Sequence, residues 1–126
     1  MLNIPTQNVR ISARGKEMLQ RIKNRTRIPN WNIICRWAFT SSLSNPTPPP
    51  SWIPSEESNI EMDWKTFAGD QSAILAGLLR LRALKDGVDT SNPLEVSAHF
   101  RAHLERGIAS ISNAKKVSDL LLIKAD

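Results

Sequence analysis

Apolar positions along the chain follow two periods, short alternations and longer stripes spaced as on a helix. Near the start, Val9 and Ile11 flank Arg10, and this alternation over Asn8 to Ile11 predicts a brief strand. Ser12 offers an N-cap hydroxyl ahead of Ala13 to Asn24, where Met18, Leu19 and Ile22 share one helical face. Gly15 weakens that helix by about 1 kcal/mol relative to Ala, so its first turn is either loose or closely approached by another group. The stretch Ile28-Pro29-Asn30 stops and restarts the chain, with Thr26 or Asn30 available as the next cap. A second, well-buried helix is expected from Trp31 to Leu43, presenting Ile33, Ile34, Trp37, Ala38, Thr40 and Ser41.

Between residues 45 and 54 stand five of the eight prolines, including Pro48-Pro49-Pro50. Proline donates no backbone hydrogen bond and favours extended chain, so this connector should cross the surface as a stiff strap flanked by Trp52 and Ile53. Ser55 to Gly69 reads as a loop or short strand, because Ile60, Met62 and Trp64 alternate among Glu56, Glu57, Glu61 and Asp63. Asp70 suits the N-cap of a helix from Gln71 to Lys85, striped with Ile74, Leu75, Leu78, Leu79 and Leu81 and stopped by Gly87. Asn92-Pro93 opens another helix through Leu94, Val96, Phe100, Leu104 and Ile108, with Gly107 near its end. Ala114 to Ile123 has the apolar spacing of a short terminal helix. The sum is a mainly α, single-domain helical bundle over residues 1–126, of about four to five helices, with a short N-terminal strand and a Pro-rich connector.

Length and composition add limits. A chain of 126 residues can bury one core without metal or disulfide support. No apolar run approaches the roughly 20 residues that span a bilayer, so no membrane partner is expected. Residues Met1 to Val9 lack the pattern of a secretory signal or transit peptide, and Cys35 is the only cysteine, so the cytoplasm is the expected compartment.

Charge changes the picture most. The formal net charge is +5, yet Arg10 to Arg27 alone holds seven basic residues against one acid, so the rest of the chain is close to neutral. A local surplus of this kind suits a polyanion; its structural alternative is a solvated helix face. Arg14, Lys16, Arg21, Lys23, Arg25 and Arg27 lie on or just beyond one short helix and are the candidate DNA contacts. If about six of them each neutralise a phosphate, log affinity should fall against log salt with a slope of roughly −5. Such contacts position the duplex without reading it, although Asn24 and Asn30 have the chemistry to bond an adenine edge. The order strand, helix, turn, helix also occurs in ribbon-helix-helix proteins, which would demand a dimer through Asn8 to Ile11.

Other candidate chemistry is sparser. Lys16 and Glu17 are the only candidates for phosphodiester cleavage; intrahelical pairing of Glu17 with Arg14 or Arg21 is the favoured account, so no catalytic residue is expected. Glu95, His99 and His103 are spaced to share a helix face, an incomplete metal signature for which surface hydrogen bonding, or pairing of Glu95 with His99, is the favoured account. No metal or cofactor is therefore expected. Cys35 falls on the buried second helix, which argues for a core residue over a sulfur carrier.

A set of blocks in fixed order resembles the DndE family of DNA sulfur-modification proteins. They are Arg10-Ile11-Ser12, Arg21 to Thr26, and Ile28-Pro29-Asn30-Trp31-Asn32-Ile33-Ile34-Cys35-Arg36-Trp37-Ala38-Phe39, followed by Ser58-Asn59-Ile60-Glu61-Met62-Asp63-Trp64 and Phe67 to Gly69. Leu78-Leu79 with Asp86-Gly87, then Phe100-Arg101-Ala102-His103-Leu104 with Arg106-Gly107-Ile108, complete the set. The resemblance implies a helical protein that binds double-stranded DNA, particularly at nicks, through Lys16, Arg21, Lys23 and Arg25. It also implies a cysteine desulfurase and an iron-sulfur protein as partners supplying the sulfur, and homo-oligomer formation. Two other functions fit a protein that grips nicked DNA: a nicking endonuclease of the same pathway, and an assembly adaptor whose basic face is incidental.

Overall fold

Four aromatic rings define where the chain folds around itself. In the computed structural model, which describes residues 4–52, 54, 56–114 and 116, the three phenylalanines cluster at the centre and Trp64 packs on two of them, Phe67 and Phe100. Phe39, Phe67 and Phe100 come from three different helices, with centroids 5.1 Å apart for Phe39–Phe100, 5.3 Å for Phe67–Phe100 and 5.4 Å for Trp64–Phe100. Tilted and edge-on pairs of this kind are the favoured aromatic geometry and add about 0.5–1.5 kcal/mol each beyond burial.

Strand β1 spans Asn8–Ser12 and helix α1 Ala13–Thr26; helix α2 spans Trp31–Ser44 and strand β2 Glu57–Asp63. Helix α3 is the short Trp64–Ala68, followed by a 3-10 turn, then α4 over Ser72–Lys85 and α5 over Pro93–Ile111. The strands pair antiparallel, Val9 opposite Met62 and Arg10 opposite Glu61, with an irregularity before Ser12 opposite Glu57. Strand β1 thus pairs with β2 of the same chain, whereas the ribbon-helix-helix arrangement pairs this strand with a second copy. The expected terminal helix from Ala114 to Ile123 falls largely outside the described residues.

Local chemistry explains the boundaries. The Ser12 hydroxyl accepts the Gly15 N–H at 2.9 Å and caps α1, while Asn92 caps α5 ahead of Pro93. Asp70 does not cap α4; it lies in the 3-10 turn, and the acid that caps a helix is Asp63, whose carboxylate accepts the Thr66 N–H at the start of α3. Asn30 holds the N-cap position of α2 without a side-chain cap bond.

Two faces differ from their expected composition. In α2 the fully buried residues are Ile34, Cys35, Ala38 and Phe39, with Ser42 nearly so, whereas Ile33 and Trp37 are half-buried and Thr40 is exposed. In α4 only Leu75 and Leu79 of the leucine-rich stripe go inward; Ile74, Leu78, Leu81 and Leu84 stay 60%, 43%, 67% and 61% exposed. Gly107 lies near the end of α5, as expected, four residues before Ile111. A Cβ there would lie 1.7 Å from the Ala38 carbonyl oxygen, so its absence is what lets α2 and α5 cross so closely.

Candidate nucleic-acid interface and a buried polar cluster

Helix α1 buries Gly15, Leu19, Ile22 and Thr26, with Met18 half-buried beside them. The remaining positions face outward in an order set by the helical step of about 100° per residue. Arg14, Arg21 and Arg25 run along one edge and Lys16 with Lys23 along the other, while Glu17 and Asn24 occupy the outermost line between. The basic residues therefore form two ridges rather than one face.

Each ridge has its own surroundings. Lys16 Nζ donates to Asn59 Oδ1 at 2.6 Å, and Lys23 Nζ stands 4.4 Å from the centre of the Trp31 ring, a cation–π contact. Arg25 reaches the Ser112 carbonyl at 3.3 Å, and Arg14 and Arg21 are exposed. Arg27 is the C-cap of α1 and holds φ at 63°, the one non-glycine residue of positive φ among those described. Among the described residues none of these six cations forms an ion pair with a carboxylate. Shallow hollows of about 490 and 570 Å³ border the two ridges, the first including Arg14, Trp52 and Glu105, the second Lys16, Trp31 and Asn59.

Glu17 is exposed, and the expected pairing with Arg14 or Arg21 does not form. Among the described residues no cluster of metal-binding side chains includes it; the one such cluster lies elsewhere. Lys16, adjacent in sequence, points a quarter-turn away to Asn59, so the two candidate cleavage residues do not converge.

A second concentration of charge lies beneath the Pro-rich connector and is almost wholly buried. Arg82, 7% exposed, gives its Nε to both Asp86 carboxylate oxygens at 3.0 Å, and its terminal nitrogens to the carbonyls of Leu43, Asn45 and Thr47 at 2.9, 2.6 and 2.8 Å. Arg106 donates to the Ser42 hydroxyl and carbonyl and to the Thr47 carbonyl. These two guanidiniums bind the connector to α4 and α5, which is what makes it a strap, and Trp52 stacks 5.0 Å from Arg101 further along. His99 Nε2 and His103 Nε2 approach Asp86 Oδ2 at 3.0 and 3.3 Å. Glu95, the carboxylate expected beside the histidines, instead accepts from Asn92 at the start of α5.

The electrostatics follow from burial. His103 is fully buried and its pKa is pushed down to about 4, first by loss of solvent and then by the charges of His99, Arg82 and Arg106. His99 is lowered too, mainly by burial. Burial pushes the Asp86 carboxyl up, but the hydrogen bonds and charge of Arg82, with His103 and His99 adding, hold it below the usual range.

The basic helix and the strap both lie within residues 8–119, the stretch that matches the family of the DNA sulphur modification protein DndE. The chain belongs to the DndE family. DNA sulphur modification is therefore the process it serves. No individual curated protein matches it significantly. Among the described residues of this DndE-family chain no helix is long and apolar enough to cross a membrane.

For a protein of a sulphur pathway, Cys35 is the side chain to examine first. It is fully buried, and desolvation, with the nearby charge of Glu105, pushes its thiol up to about 12. Essentially no thiolate exists near neutral pH, so the folded protein offers no nucleophilic sulfur there.

Glu105, absent from the candidates in the sequence, ties α5 to the start of α1. Its carboxylate accepts the Ser12 N–H at 2.9 Å and the Ser12 hydroxyl at 2.8 Å. A Cβ on Gly15 would sit 2.7 Å from Glu105 Oε1, which settles why glycine stands in the first turn of α1: another group approaches it closely. Burial nevertheless raises the Glu105 pKa, against the two Ser12 bonds and Arg101 that lower it.

Proposed function

We propose that this protein binds the DNA backbone for the sulphur-modification machinery through the two basic ridges of α1 and Arg27. The observation that carries this reading is the set of six cations that, among the described residues, have no carboxylate partner, on a helix whose inner face is firmly packed. Elsewhere Arg82 and Arg101 are neutralised by Asp86 and Glu57; on α1 that compensation is left to a ligand. The ridges stand on opposite edges of a helix roughly 10 Å across, comparable with the major groove at about 12 Å. Each ridge then meets phosphates of one strand, and Asn24 faces the bases between them. A nick lets the two duplex arms bend toward both ridges, which is the physical basis for a preference for nicked over intact duplex.

Self-association belongs to the same reading. The exposed Ile74, Leu78, Leu81 and Leu84 form an apolar stripe on α4 that a second copy would cover, multiplying the basic surface. Leu81→Glu is expected to reduce the mass seen by light scattering after size exclusion, and an unchanged mass removes this stripe from the reading. An assembly adaptor for the cysteine desulfurase or iron-sulfur partner would use the same stripe.

The decisive experiment is fluorescence anisotropy with intact and centrally nicked forms of one duplex over a salt series. A slope near −5 and tighter binding to the nicked form are expected for about six phosphate contacts. If Lys16→Glu, Arg21→Glu and Lys23→Glu together leave affinity unchanged, α1 is not the contact surface.

A further inference from the structure

His99 and His103 stand four residues apart on α5, so their rings project from one face, and Asp86, at the end of α4, meets them there. The three donor atoms form a nearly equilateral triangle: Asp86 Oδ2 to His99 Nε2 is 3.0 Å, Asp86 Oδ2 to His103 Nε2 is 3.3 Å, and the two ring nitrogens are 3.2 Å apart. A divalent transition ion takes nitrogen and oxygen ligands at about 2.0–2.2 Å. At that bond length two ligands are about 3.0 Å apart across a right angle and about 3.4 Å apart in a tetrahedron. The observed separations span that interval. We propose that Asp86, His99 and His103 form a binding site for one divalent first-row transition ion.

The surroundings fit such a site. His103 Nδ1 lies 2.8 Å from Ser42 Oγ, which Arg106 Nε also approaches at 2.9 Å. When that Nδ1 carries the proton and donates to Ser42, the Nε2 lone pair faces the triangle, as in histidine sites oriented by an outer hydrogen bond. Asp86 is fixed by Arg82 through both oxygens. A cavity of about 450 Å³ beneath Pro48, Pro49 and Pro50 is lined by Asp86, His99 and Glu95, so water can complete the ion's coordination from that side. Two imidazoles and one carboxylate suit Zn²⁺, Fe²⁺, Co²⁺ or Ni²⁺ better than Mg²⁺ or Ca²⁺. The charges of Arg82 and Arg106 oppose the ion, which makes this a weaker, exchangeable site rather than a structural zinc centre. The sequence points to Glu95 as the carboxylate because it shares the helical spacing; the structure supplies Asp86 from the turn before α5 instead.

The test uses the full chain dialysed against a chelator and titrated with CoCl₂ and ZnCl₂. Saturable binding of one equivalent is expected, with visible Co²⁺ absorption and no thiolate charge-transfer band. His99→Gln, whose ring borders the cavity, should weaken it at least tenfold while the circular dichroism spectrum stays native. Absence of saturable binding to the folded wild-type chain, or equal binding by a folded His99→Gln variant, overturns the proposal. Should that variant fold poorly, ¹⁵N NMR of the wild-type imidazoles decides. Zinc-induced shifts at His99 and His103 support the site, and unmoved resonances overturn it. Because α1 takes no part, DNA binding stands or falls separately.

Discussion

Helix α1 and the cluster beneath the strap are both rich in arginine, and they use it in opposite ways. Under the strap every guanidinium nitrogen of Arg82 has a partner, in one carboxylate and three carbonyls, and its charge is almost wholly buried. On α1 the cations touch an amide, an aromatic ring and a carbonyl, but no acid among the described residues. The contrast teaches that counting basic residues does not locate a polyanion surface; asking which of them the fold has already neutralised does. Internal cations hold the protein together, and uncompensated ones are left for a partner.

The comparison breaks most severely at Asp86. Asp86→Ala leaves Arg82 buried without its counter-ion, and denaturant titration should show a loss of about 3–5 kcal/mol, while the folded fraction binds DNA as before. Next in size is the triple reversal of Lys16, Arg21 and Lys23. It should weaken duplex binding at least ~100-fold and flatten the salt slope by about 0.9 per lost contact, while stability falls by only about 1–2 kcal/mol from the lost Lys16–Asn59 and Lys23–Trp31 contacts.

Glu105, which joins the start of α1 to α5, gives a smaller and pH-dependent effect. Its folded pKa is raised above the ordinary 4.5, so the native state holds that proton more tightly than the unfolded chain. The resulting stabilisation is complete below the ordinary value and is lost as pH rises through the folded one. Relative to Glu105→Gln, the wild-type chain should therefore lose stability across that window, measured as a difference between thermal midpoints. His99 and His103, lowered instead of raised, act in the opposite sense in both proteins and cancel in the difference.

The smallest effect separates strain from binding at Arg27. Holding a non-glycine residue at φ 63° costs about 1 kcal/mol. Arg27→Gly should stabilise the fold by about that amount and reduce the magnitude of the salt slope by about 0.9. A gain in stability with an unaltered slope would take Arg27 out of the DNA surface.

Much of this architecture was legible in the residues themselves. The caps at Ser12 and Asn92, the strand at Val9 and Ile11, and the proline run all act through neighbours in sequence, and their elements lie within a few residues of expectation. The stripe on α4 misled because a helix striped with leucine does not declare which leucines face inward; that depends on where α3 and α5 lie. Strand β2 was ambiguous because pairing with β1, not its own alternation, decides it. At the candidate interface the basic residues were readable, but their division into two ridges required knowing that Gly15, Leu19, Ile22 and Thr26 set the inner face. Glu105 and Asp86 were missed for a common reason, since each gains its role from a partner far along the chain. The one local signal was the spacing of Arg82 and Asp86, four apart on the helix.

The crossing at Gly107 and Ala38 carries a consequence for how the protein is made. Helices α2 and α5 touch through residues such as Ser42 and His103, separated by 61 positions, and through Ser41 and Ser110, separated by 69. The strap, β2, α3 and α4 all lie inside that loop, so the aromatic centre cannot close until it has been spanned. Contacts of such long range slow folding relative to a bundle of neighbouring helices. During synthesis the first half therefore emerges from the ribosome as unfinished chain, and the core condenses only once α5 is out.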